Sequence, residues 1–267
     1  MLQISKMKPS TINSLIKIVA LITIFLGGYI VYDNYYESES VKIANWNLQI
    51  FGETKASSQE LMQTYSSTIY DYDIIFIQEI RDNSGTAFPK LCSMLQNYTC
   101  LSSSRAGRTL SKEQYGVIYK NGINLTNFYD YNPDPQDRWE RPPIRVDFNI
   151  NGYQLIIYNV HTKPEDVQKE LDALEGITIN SGNVLILGDL NADCSYYNNE
   201  NEIEFDNWNW IISDQEDTTS SNTNCAYDRI ILNNDAYAEY KSNRIYTREI
   251  TKNVSDHYLV WVELKLE

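Results

Sequence analysis

The sequence predicts one α/β domain of two packed sheets, covering about residues 40 to 267. Three observations carry this. Short apolar runs at 73–77 (DIIFI) and 184–187 (VLIL) read as buried strands. Strand-like segments dominate and interleave with a few helical ones. Hydrophobic residues make up 42% of the chain and aromatics 12%, enough for a core and too many for a disordered chain.

The elements follow in order. Residues 41–48 read as a strand, 57–70 have helical length, and 73–77 form the first buried strand. Residues 91–95 look helical. Strands follow at 115–119, 123–129, 144–150 and 153–160; Asn151-Gly152 joins the last two as a hairpin turn. A helix opens at Pro164 with two acids behind it and runs to 174. Strands at 184–187, 229–232 and 257–264 close the set. The stretch 132–143, with its four prolines, reads as a loop too charged to be core.

The N-terminus stands apart. Residues 15–32 are almost wholly apolar, with Lys6, Lys8 and Lys17 before or inside the run and Asp33, Glu37 and Glu39 after it. That is the charge order of an export segment, and the run is long enough to span a membrane. No A-x-A-like cleavage site follows, so signal peptide and signal anchor both stay open, each placing the domain in a secreted, extracellular or periplasmic setting. Net charge is −14, and about −17 without the first 32 residues. A tight, sequence-indifferent DNA clamp is excluded. A polyanionic substrate would need a local basic cluster and bound cations. Of the four cysteines, proximity favours Cys92–Cys100 and Cys194–Cys225, with three connectivities open. No Cys/His spacing points to zinc.

Several apolar strands end in acids or amides: Asn47 after IANW, Gln78-Glu79 after DIIFI, and Gly188-Asp189-Leu190-Asn191 after VLIL. Asp228 follows Tyr227, and Asp256 precedes His257. Strand ends are where a rigid scaffold presents side chains to a crevice. Hard oxygen donors suit Mg²⁺, Mn²⁺ or Ca²⁺. Turn formation would explain any one of these residues. It explains less well five such positions in a chain whose only histidines, His161 and His257, also lie at strand ends.

Seven strings, in order over residues 41–267, then carry a resemblance: IANWNLQIFGETK, DIIFIQEIRD, SKEQYGVIYK, NVHTKP, LILGDLNADCSY, DTTSSNTNCAYDRI and SDHYLV. They resemble the deoxyribonuclease I family. GD-x-N and SDH mark only the wider endonuclease/exonuclease/phosphatase superfamily; FGETK, NADCSY and TNCAYDRI are narrower. The resemblance implies a four-layer α/β/β/α sandwich and metal-dependent endonucleolytic cleavage of double-stranded DNA to 5′-phosphates. It implies Mg²⁺ (or Mn²⁺) at Asn47, Glu79 and Asp256, and at Asp189 and Asn191. Glu113 would orient His161 and Asp228 would orient His257, the four being the catalytic set. Structural Ca²⁺ would bind Asp217, Thr219, Ser221 and Thr223. Arg81, Arg108 and Arg141 would approach DNA, and Cys194–Cys225 would be the family's structural disulfide.

The chemistry agrees with that set. A phosphodiester is a stable anion, so hydrolysis needs charge neutralisation, an activated water and a protonated leaving oxygen. Departures touch contacts. Ser111 replaces a tyrosine common in the family, Gln49 an arginine, and Pro142 an acid in a second calcium site near Asp137. Altered affinity with intact chemistry is expected, as are a monomer and no actin binding. Two other readings compete: a phosphodiesterase or phosphatase acting on phospholipid or inositol phosphate headgroups, and a catalytically dead binding module. The second needs a broken catalytic position, and none is found.

Overall fold

The computed structural model describes residues 22–23, 39–198 and 204–266. The chain divides into two units, Met1–Glu39 and Ser40–Glu267. Of the apolar run at 15–32 only Ile22 and Thr23 are described, both helical. The export or anchor reading therefore lies outside the described residues. Among the described residues no helix is long and apolar enough to cross a membrane.

The second unit is an α/β sandwich of two mixed six-stranded sheets. One sheet contains β1 (Ser40–Phe51), β2 (Ile74–Ile80), β3 (Tyr98–Ser102), β4 (Gln114–Lys120), β11 (Tyr240–Tyr246) and β12 (Leu259–Lys265), in the order β11-β12-β1-β2-β4-β3. The other contains β5 (Asn124–Asp130), β6 (Ile144–Ile150), β7 (Tyr153–Asn159), β8 (Asn183–Asp189), β9 (Asn209–Trp210) and β10 (Asp228–Leu232), in the order β5-β6-β7-β8-β10-β9. β1–β2 and β7–β8 pair in parallel; the other pairings are antiparallel.

Side-chain alternation builds three apolar layers. Ile43, Phe76 and Val117 of one sheet face Phe148, Ile157, Leu187 and Ile230 of the other. The outer face of the first sheet, with Trp46, Ile75 and Ile77, packs on α1 (Glu53–Ser57), α2 (Gln59–Ile69) and α3 (Ala87–Cys92). The outer face of the second, with Tyr158, Val184 and Ile186, packs on α4 (Val167–Glu175). α2 buries Met62, Tyr65, Ser66 and Ile69, and α4 buries Val167, Glu170, Leu171 and Leu174; both are the i, i+3, i+4, i+7 stripe of an amphipathic helix. α5 (Asn234–Ala238) starts at Asn233, whose side chain accepts from Ala236 N.

Most expected strands form within a residue or two of their predicted ends, and Asn151 (φ 52°) and Gly152 (φ 100°) make the predicted hairpin turn. Four expectations shift. The helix expected at 91–95 lies at Ala87–Cys92, because Asp82 accepts the N–H groups of Thr86 and Ala87 and fixes its start upstream. The helix opening at Pro164 begins as a 3-10 turn, Pro164–Asp166. β12 starts at Leu259, leaving His257 on an isolated bridge to Thr219. The loop at 132–143 is not all surface: Trp139 is 1% exposed and donates its indole N–H to Glu170 O, so its charged neighbours concealed a core anchor. β3, β9, β11, α1 and α5 are not expected from the sequence: the strands alternate weakly, and the two helices are only five residues long. Both cysteine pairs favoured by proximity are bonded.

Candidate active site

The faces that meet between the sheets change character along their length. On β1, Val41 and Ile43 are core, and Asn45 and Asn47 continue the same face. On β2, Phe76 gives way to Gln78; on β7, Ile157 to Asn159; on β8, Leu187 to Asp189. Two parallel pairs therefore bring amides and carboxylates to one end of the sandwich. The backbone there is unusual. Gln49, Ile50, Glu79 and Asn191 all have φ between 45° and 57°, and both β1 and β2 break register. Such conformations cost about 1–3 kcal/mol each and cluster at functional sites. Glu79 Oε2 accepts from Ile50 N (2.9 Å), so the strained turn and the carboxylate hold each other.

Two imidazole–carboxylate pairs face one another. His161 Nδ1 lies 3.0 Å from Glu113 Oε1, and His257 Nδ1 lies 2.7 Å from Asp228 Oδ2. Their outer nitrogens converge on Asp189 Oδ2, at 3.3 Å for His161 Nε2 and 3.5 Å for His257 Nε2. Asn47 Nδ2 also donates to that oxygen (3.0 Å). Each histidine is fixed through its backbone. Tyr115 OH accepts from His161 N and donates to Arg141 O. Ser255 Oγ accepts from His257 N and donates to Asn47 O, and Trp46 Nε1 donates to His257 O.

Charge is distributed unequally. Burial alone would raise the Glu113 carboxyl, but His161, Arg141 and Arg81 together bring it down to about 2. Burial works against a charged His257, yet Asp228 and Asp189 outweigh it and push the imidazole up to about 10. Burial raises the Asp228 carboxyl as well, against the opposing pull of His257. Burial would also raise Asp189; His257, His161 and its hydrogen bonds hold it below the usual range.

A hard divalent cation fits these residues. Asp256 Oδ1 is buried without a hydrogen-bond partner, as expected of a ligand atom. Glu79, Asp256 and Asn47, with Asp189 and Asn191, offer oxygen throughout. Ligand atoms of Glu79, Glu113 and His161, and of Asp189, Asp228 and His257, each lie within 4.8 Å of one another. A third such group, Asp193 with Cys194 and Cys225, is no metal site, because its sulfurs are a disulfide.

The remaining predicted residues fall into place as follows. Thr219 Oγ1 bonds Asp217 Oδ1 (2.9 Å) and Thr223 Oγ1 (3.1 Å), and Ser221 Oγ contacts both threonine hydroxyls, so these four side chains lie together. It adjoins the His257 segment through Ser220 N to Asp256 O and Tyr258 N to Thr218 O. Arg81, 25% exposed, bridges Glu79 and Glu113 and donates to Ser111. Arg141 is nearly buried: it pairs with Glu113 (2.7 Å) and donates to the carbonyls of His161 and Thr162. Arg108 is held by Asp137 and Glu140, so a guanidinium takes the acids near the doubtful second calcium site. Glu170 and Lys55 also stand at the site, with no role signalled by the motifs. Glu170, 1% exposed, accepts from Glu140 N and Lys163 N. Lys55 donates to Leu48 O and Val254 O beside Asp256 and Glu79. A polar residue at a core position of an amphipathic stripe was the available signal.

The profile of the endonuclease/exonuclease/phosphatase family matches residues 44–257. Deoxyribonuclease-1-like 1 of Chlorocebus aethiops is 32% identical over 260 residues, covering 86% of each chain. Deoxyribonuclease-1 of Oryctolagus cuniculus is 32% identical, covering 84% of this chain and 92% of its own. The chain belongs to the deoxyribonuclease I family. It is a phosphodiester hydrolase of the nuclease type. A solved endonuclease/exonuclease/phosphatase family protein from Bacteroides thetaiotaomicron superposes with a TM-score of 0.64 at 15% identity, covering 87% of this chain and 97% of its own, a likeness of fold alone.

Proposed function

We propose that this family member is a divalent-cation-dependent DNA endonuclease that leaves 5′-phosphates. The observation that carries the reading is the convergence of two carboxylate-held imidazoles on Asp189. Asn47, Glu79, Asp256, Asp189 and Asn191 would hold Mg²⁺ or Mn²⁺, which when bound neutralises phosphate charge. His161, held by Glu113, takes a proton from the attacking water. His257, kept protonated by Asp228 and Asp189, donates one to the leaving 3′ oxygen. Asp217, Thr219, Ser221 and Thr223 would take Ca²⁺. Arg81, more exposed than Arg141, meets the phosphate, while Arg141 supports Glu113. Two disulfides favour an oxidising, extracytoplasmic setting.

The test is plasmid nicking by the full chain with Mg²⁺ and Ca²⁺, followed by end-group analysis. Nicks bearing 5′-phosphates are expected. Absence of nicking, with release of phosphate from phospholipid or inositol phosphate headgroups instead, overturns the substrate reading.

A further inference from the structure

A ring of three side-chain amides lies between the sheets, under the candidate site. Asn45 on β1, Gln78 on β2 and Asn159 on β7 are each 0% exposed. Asn45 Nδ2 donates to Gln78 Oε1 (3.2 Å), Gln78 Nε2 to Asn159 Oδ1 (3.4 Å), and Asn159 Nδ2 to Asn45 Oδ1 (2.8 Å). The circuit is closed and directional: turning over any one amide sets donor against donor.

Its outward bonds end on main chain beside the site. Gln78 Nε2 donates to Val160 O (2.8 Å), one residue before His161. Gln78 Oε1 accepts from Asp189 N (2.8 Å). Asn159 Nδ2 donates to Leu187 O (2.8 Å), two residues before Asp189. The fit leaves no room: a Cβ on Gly188, whose φ is +154°, would fall 2.0 Å from Val160 O and 2.7 Å from Gln78 Nε2. Elsewhere the same inward faces carry mostly apolar side chains, which pack the sandwich without directional partners. Amides here add direction, which an apolar contact cannot supply.

We propose that Gln78 is a positioning residue for hydrolysis. It fixes the separation between Asn47 and Glu79 on one sheet and His161 and Asp189 on the other. It touches no reacting atom and acts through the main chain of Val160 and Asp189. The inference rests on the hydrolase assignment and not on DNA as the substrate. Misplacing reacting groups by about 1 Å costs on the order of 10²-fold in rate.

Gln78→Met keeps side-chain length and removes both the donor and the acceptor. Asn45→Ser opens the ring but spares the bonds of Gln78 to Val160 and Asp189. Phe148→Leu makes a comparable packing loss between the same sheets, away from the ring. Each is assayed in the full chain on plasmid DNA and on a small chromogenic phosphodiester, with Tm alongside. Gln78→Met is expected to lower kcat about 10- to 100-fold on both substrates, with KM for DNA within about threefold. Asn45→Ser should lower kcat less, about three- to tenfold. Phe148→Leu should lower Tm and leave kcat per folded molecule unchanged. A Gln78→Met enzyme within about twofold of wild-type kcat, or one matched by Phe148→Leu, overturns the proposal. If Gln78→Met does not fold, Asn45→Ser decides by the same criteria. Wild-type turnover of the small diester without DNA cleavage would remove the substrate reading and leave this one standing.

Discussion

The two imidazole–carboxylate pairs look alike in sequence and differ in what surrounds them. Glu113 shares its charge among His161, Arg141 (2.7 Å) and Arg81 (3.4 Å). Asp228 faces His257 with no guanidinium beside it in its ion pairs, and Asp189 adds a second negative charge. One carboxylate is shared among three cationic partners; the other is committed to a single imidazole. Under the proposed mechanism the two histidines would take opposite proton-transfer tasks. The lesson is that an acid beside a histidine does not define a role until the other charges on that acid are counted.

The largest expected effect breaks the symmetry directly. His161→Ala and His257→Ala should each lower kcat by about 10²–10⁴-fold. A DNA substrate with a 3′-thio leaving group needs no proton on departure, so it should restore His257→Ala and not His161→Ala. Rescue of His161→Ala instead would reverse the assignment.

Removing the carboxylates should rank them. Asp228→Asn strips His257 of the partner that charges it and should cost about 10–100-fold in kcat. Glu113→Gln leaves Arg141 bonded to the carbonyls of His161 and Thr162, so the loss should be smaller, below about tenfold. Steady-state kinetics on one plasmid substrate checks the order, and equal losses would refute the contrast.

In chelator, the halves should fail at opposite ends of the pH scale. Glu113 is depressed on folding from 4.5 to about 2, so its contribution is present above 4.5 and is lost as pH falls toward 2. His257 is raised from 6.5 to about 10, so its contribution is present below 6.5 and is lost as pH rises toward 10. Denaturant melts across pH should show Glu113→Gln flattening the acid limb and His257→Asn the alkaline limb. The smallest effect concerns calcium. Because the 217–223 loop bonds to Asp256, Tyr258 and Asp228, Ca²⁺ should slow amide exchange there and leave the segment around His161 unchanged.

Much of the fold was legible locally. DIIFI, VLIL and the Asn151-Gly152 turn form as their patterns demand, because apolar period and turn conformation are properties of a few adjacent residues. Trp139 reads as surface because its neighbours are charged, while its burial comes from α4, 31 positions away. Arg141 was expected to approach DNA; its partners, Glu113 and the carbonyls after β7, come from distant elements. Gln78 and Asn159 sit in apolar strands as plain exceptions to a pattern, and nothing local says that they bond to each other.

The sequence by itself determined most of the strands, the cysteine pairs that proximity favours, and the kinds of group available at the strand ends: two imidazoles, hard oxygen donors and their family signature. Only the tertiary structure decided which carboxylate is shared with guanidiniums, which pair of acids raises His257, and which amides bond to one another beneath the site. The physical reason is that residue type and periodicity are local. Burial and charge balance depend on every element that packs within a few ångströms, and those elements come from opposite ends of the chain.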